Sequence, residues 1–160
     1  MNWDAAGAIG EIVGAIAVVI SLVYLALQIR NQNRETKAAT VQQVLQTNAN
    51  TISQLQDPEL AQIWITGLND LDNLSDVERL RFVIYITTIL RSYENAYFQW
   101  RSGRLEDDTW HALMAVVRDV KSTPMYSQIL DVRRHHFREE FLKYMDELEV
   151  GDYSYIKTSK

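Results

Sequence analysis

The chain is expected to be all-α: one N-terminal transmembrane helix continuing into a cytoplasmic bundle of about five to six helices. Three observations predict this. A long apolar segment opens the chain, only six glycines and two prolines punctuate its 160 residues, and the apolar residues beyond that segment recur at helical spacing. The boundaries implied are a transmembrane segment at 1–30, a helical domain at 31–150 and a loose tail at 151–160.

Composition narrows the class further. The length suits one domain with a real core, and 47% apolar with 23% charged residues is ordinary for a globular chain. A net charge of −5, with no basic stripe interleaved with aromatics, excludes a general nucleic-acid binder. There is no cysteine, so disulfides, thiolate metal sites and cysteine nucleophiles are excluded, which suits a reducing compartment.

The opening segment reads AAGAIGEIVGAIAVVISLVYLALQIR over residues 5–30, and Glu11 is its only charge before Arg30. About twenty apolar residues rising ~1.5 Å each are enough for the roughly 30 Å hydrocarbon core. A signal peptide would need a basic start, whereas MNWDAAGAIGE carries Asp4 and Glu11 and no Lys or Arg. A buried core helix would need a polar face, and residues 12–27 have almost none. Arg30, Arg34 and Lys37 follow the segment while no cation precedes it. The positive-inside rule then puts the N-terminus outside and the rest of the chain in the cytoplasm, in contact with the lipid bilayer. Trp3 and Tyr24 fit as aromatic anchors at the two interfaces.

Within this segment Gly7, Gly10, Gly14, Ala17 and Ser21 recur at alternating spacings of three and four, continued by Tyr24 and Gln28. Small residues on one stripe let helix backbones approach closely in lipid, so the seam reads as a self-association face for a homo-oligomer. Glu11 lies beside it. A carboxylate in hydrocarbon is costly, so Glu11 is expected in the headgroup zone, in a hydrogen bond to Ser21 or a neighbouring backbone, or in a ring at a pore mouth attracting cations.

Residues 29–39 are polar and carry no helix breaker, and the apolar stripe Val41, Val44, Leu45, Ala49, Ile52 and Leu55 predicts that the helix continues. Asp57 and Pro58 mark a stop and a restart with cap and first-turn proline. A short helix then carries Leu60, Ile63, Trp64 and Leu68, with Gly67 near its end. Ser75 and Glu78 form a capping box opening a helix over 76–102, with Gly103 as its stop. FVIYITTIL inside it is β-branched, yet apolar spacing continues through Tyr93, Tyr97 and Trp100. The acidic run Glu106, Asp107 and Asp108 favours the next helix start, with Trp110, Leu113, Met114, Val117 and Val120 as its buried stripe. Thr123 and Pro124 open a helix bearing Met125, Tyr126, Ile129 and Leu130. The last carries Phe137, Phe141, Met145 and Leu148 and stops near Gly151.

Chemistry has few footholds. Asp131, His135 and Glu139 are spaced by four and would lie on one helix face as a partial metal site. A two-metal carboxylate bundle needs Glu-x-x-His on two helices, and His111, the third histidine, lacks that context. A solvated face with pairs to Arg134 and Arg138 is the simpler expectation, so no metal and no cofactor are expected. Arg91, Glu94 and Asn95 sit in the most apolar helix and read as a buried polar cluster fixing helix register, or as a small polar ligand site. There is no phosphate-cradling glycine loop, nucleophile elbow or HExxH, so no enzyme is expected.

The opening GAIGEIVGAIAVVISLVYLALQIR, the element at residues 57–64 (DPELAQIW), the RSYENAY run at 91–97 and the GRLEDDTW step at 103–110 together resemble a family of small uncharacterised bacterial single-span membrane proteins. The resemblance implies a single-span helical protein of the inner (plasma) membrane and carries over no catalytic residue. The leading expectation is thus a self-associating anchor presenting a cytoplasmic scaffold or docking domain, its protein partner unspecified. An oligomeric pore with Glu11 near the mouth and a ligand-sensing helical domain are the alternatives.

Overall fold

The computed structural model describes the backbone of residues 3–152 and the side chains of residues 7–152. The side chain of Trp3 and residues 153–160 of the expected tail lie outside that range. Among the described residues there are six helices and no strand.

Helix α1 (Trp3–Ser53) is uninterrupted. No glycine or proline occurs between Gly14 and Pro58, so nothing in the backbone stops it earlier. It is the one helix, among the described residues, long and apolar enough to cross a bilayer, and its apolar window has a mean hydropathy of 2.5. The chain forms two compact units, Met1–Ala39 and Thr40–Lys160. In the first unit every described side chain from Gly7 to Ala39 is exposed.

The second unit holds the end of α1 together with α2 (Pro58–Asn69), α3 (Asp76–Arg101), α4 (Asp107–Lys121), α5 (Pro124–Arg133) and α6 (Glu139–Glu147). Local chemistry sets several of these ends. Asp57 accepts from the Leu60 amide at 2.8 Å, with Pro58 in the first turn. Ser75 and Glu78 form the reciprocal capping box of α3, and their hydrogen bonds hold the Glu78 carboxyl below its ordinary range. Gly103, at φ 69°, takes the left-handed position after α3 that glycine fills at least cost.

Phe82, Trp110, Phe141 and Met145 are 0% exposed and anchor a single core. Gly67 is there because α2 and α3 touch: a Cβ at that position would stand 2.6 Å from the Phe82 ring. Around Tyr97, the rings of Phe98, Trp100, Trp110, Phe141 and Tyr144 all lie with centroids within 5.9 Å.

Three expectations are corrected. In the stripe over 41–55, Leu45, Ala49 and Ile52 are exposed, while Val44 and Thr51 are buried and Asn48 is half-buried. Two phenols set this rotation. Tyr85 donates to the Thr51 carbonyl at 2.6 Å, near a helix end that leaves carbonyls unpaired, and Tyr93 donates to Asn48 Oδ1 at 3.3 Å.

Asp131, His135 and Glu139 do not share a helix face. Helix α5 ends at Arg133, a 3₁₀ turn spans Arg134–His136, and α6 begins at Glu139. Gly151, assigned to the loose tail, is tied down instead: its amide donates to the Arg118 carbonyl at 2.8 Å.

Candidate functional site

The small-residue stripe of α1 is intact as geometry. Gly7, Gly10 and Gly14 have nothing within 4 Å of where a side chain would begin, so their backbones are bare. Further along, Ser21 Oγ donates to the Ala17 carbonyl at 2.9 Å, and Gln28 Nε2 donates to the Tyr24 hydroxyl at 2.9 Å. The seam's polar groups therefore bond within their own helix, leaving its glycine end as a plain backbone surface. Glu11 is exposed on the same stretch.

Arg91, Glu94 and Asn95 do not form one buried cluster. Asn95 is exposed, and the Arg91 side chain is 52% exposed against 8% for Glu94. Consecutive helical positions turn by about 100°, so Glu94 and Asn95 cannot share a face. Glu94 has a different task. Its Oε1 accepts the Arg138 amide at 2.7 Å, at the N-cap of α6, while Oε2 accepts from Arg91 Nη1 at 3.1 Å. A carboxylate there satisfies an orphan amide and complements the positive end of the helix dipole.

Lys121 does the reverse job at the other end of α6, and nothing in the sequence singled it out. Its Nζ donates to the carbonyls of Met145, Asp146 and Leu148 at 2.8, 3.0 and 2.6 Å. Helix α6 has nine residues, too few to be stable by propensity alone. Side chains from α3 and α4 hold both of its ends. The only local hint was a lysine in the last turn of α4, and its reach to α6 is tertiary.

The histidine region is also structural. Arg134 meets the Asp146 carboxylate through two bonds of 3.1 and 2.8 Å, which holds the Asp146 carboxyl below its ordinary range. Arg138 lies over the Phe98 ring at 4.4 Å. The pairs expected between a solvated charged face and Arg134 and Arg138 are thus replaced by longer-range partners. The His135 and His136 rings lie 4.3 Å apart between centroids, tilted by 43°. Desolvation, with His135, Arg133 and Arg91 nearby, lowers the affinity of His136 for a proton. Among the described residues no group of three or more His, Asp or Glu is placed to hold a metal ion. No family model matches the chain, and neither do any curated protein or solved structure.

Proposed function

We propose that the protein is a single-pass membrane protein that self-associates through Gly7, Gly10, Gly14, Ala17 and Ser21 and presents a helical docking domain to the cytoplasm. One observation carries this reading: every described side chain from Gly7 to Ala39 is exposed, although most of those before Arg30 are apolar. Apolar surface on that scale requires a cover, and a bilayer plus a second copy supplies one. Arg30, Arg34 and Lys37 support a cytoplasmic domain by the positive-inside rule, and the sequence resemblance supports a bacterial inner membrane. The docking role draws on α3, where Val77, Leu80 and Ile84 are 69%, 58% and 57% exposed along one face.

The test is mass measurement of the full chain in detergent, with crosslinking in membranes. An oligomer is expected, and Gly14→Ile, which places a branched side chain on the bare seam, should shift it towards monomer without changing the melting of the helical domain. A strict monomer indifferent to Gly14→Ile overturns the proposal.

A further inference from the structure

The end of α1 does not pack onto the bundle the way the other helices do. The two hydrogen bonds from Tyr85 and Tyr93 bridge to it across a cavity of about 280 Å³. Its walls are aliphatic and aromatic: Ile52 and Leu55, Trp64 on α2, Ile86 and Ile89 on α3, and Val117 on α4 contribute, among others. Ile52 and Val116, at 46% and 41% exposed, stand where the cavity meets solvent.

Among the described residues no charged side chain lines this space. Most of its polar lining groups are engaged elsewhere; the exception is the Tyr126 hydroxyl, which is buried without a hydrogen-bond partner among the described residues. Tyr85 bonds to the Thr51 carbonyl, Tyr93 to Asn48, and the Thr51 hydroxyl donates to the Thr47 carbonyl at 2.8 Å. A water needs two to four polar partners to settle, so this volume is poorly suited to water. Protein interiors also rarely leave voids larger than a water molecule, because wall atoms without partners lose their dispersion contacts. An apolar space of this size is therefore built to be filled.

We propose that this cavity is a binding site for an uncharged apolar small molecule of about ten to twelve carbons, roughly twice the size of the benzene that an engineered ~150 Å³ cavity accepts. The volume sits at the small end of natural ligand pockets. A charged or strongly polar ligand would lose its hydration, and one unpaired phenol, that of Tyr126, cannot replace it. Both walls are needed. The ligand would join the end of α1 and the 3₁₀ turn after it (Gln54–Gln56), through Ile52 and Leu55, to α3 and α4, through Ile86, Ile89 and Val117. The site is independent of whether the N-terminal helix self-associates.

Naphthalene, uncharged and with ten carbons, is a suitable probe. It is titrated into the full chain in lipid nanodiscs while methyl resonances of Ile, Leu and Val are followed by NMR. Saturable shifts concentrated on Ile52, Leu55, Ile86, Ile89 and Val117 are expected. Val117→Phe, which fills the space, should weaken binding at least tenfold, and Ile89→Phe serves if that variant does not fold. Shifts no larger on those methyls than on the exposed Val77, Leu80 and Ile84 would mean surface partitioning and overturn the proposal. Binding that survives in both folded filled variants would overturn it as well.

Discussion

Ile16 and Phe82 are both large apolar side chains inside long helices, yet Ile16 is 54% exposed and Phe82 is 0%. The same contrast holds for the regions around them. From Gly7 to Ala39 no described side chain is covered, and the glycines face open space. From Thr40 onward, apolar side chains from every helix enter one core. Hydrophobicity alone thus does not determine burial within a chain. The first region has apolar side chains all round as far as Ile29, and no partner element within its unit. The second has amphipathic helices whose stripes cover one another.

The sharpest way to break the comparison is to truncate one residue in each region. Phe82→Ala should cost about 3–5 kcal/mol of domain stability, measured by denaturant unfolding, whereas Ile16→Ala should leave that transition unchanged. An equal loss in both would mean that residues 7–39 are covered by the chain itself.

A smaller effect tests how the second region is held. Glu94→Ala removes the acceptor of the Arg138 amide and should cost about 1–3 kcal/mol. Lys121→Met should cost a similar amount through the other end of α6. Hydrogen exchange should rise first at residues 139–147 in both variants.

Alkaline pH should loosen the second region selectively. Burial pushes the Tyr93 hydroxyl up to about 12 and raises Tyr85 and Tyr126 as well. A phenol whose folded pKa is raised contributes stability that is complete below the unfolded value near 10. That contribution is lost as pH climbs from about 10 through 12. Tyr93→Phe should flatten this part of the profile, which a melting series between pH 8 and pH 12 would reveal. A profile identical to the parent chain would show that Tyr93 is not a principal source of the alkaline loss. The smallest expected effect is at Asn95: being exposed, it should change stability by no more than about 0.5 kcal/mol when replaced by alanine.

Much of the fold was legible in the sequence. Pro58 after Asp57, Glu78 after Ser75 and Pro124 after Thr123 mark helix starts found at those places. The α3 residues FVIYITTIL are helical despite their β-branching, because their apolar spacing continues beyond the run. The candidate sites were less legible. Arg91, Glu94 and Asn95 look like a group because they are close in sequence, but the ~100° turn between consecutive helical positions carries Asn95 out to solvent while Glu94 points inward. Asp131, His135 and Glu139 look aligned only if the helix does not break, and the turn at 134–136 breaks it.

What the sequence determined alone was the helical class, most helix boundaries and the apolar first segment. Caps, turn prolines and hydrophobic periodicity act between residues within about one turn, so a linear reading reaches them. Tertiary structure decided which face of residues 40–55 turns inward, what Glu94 and Lys121 bind, and where the apolar cavity lies. Those outcomes depend on partners far along the chain: 34 residues from Tyr85 to Thr51, 44 from Arg138 to Glu94 and 24 from Lys121 to Met145. Over such separations no local spacing specifies which groups meet. Only the packing of the helices does.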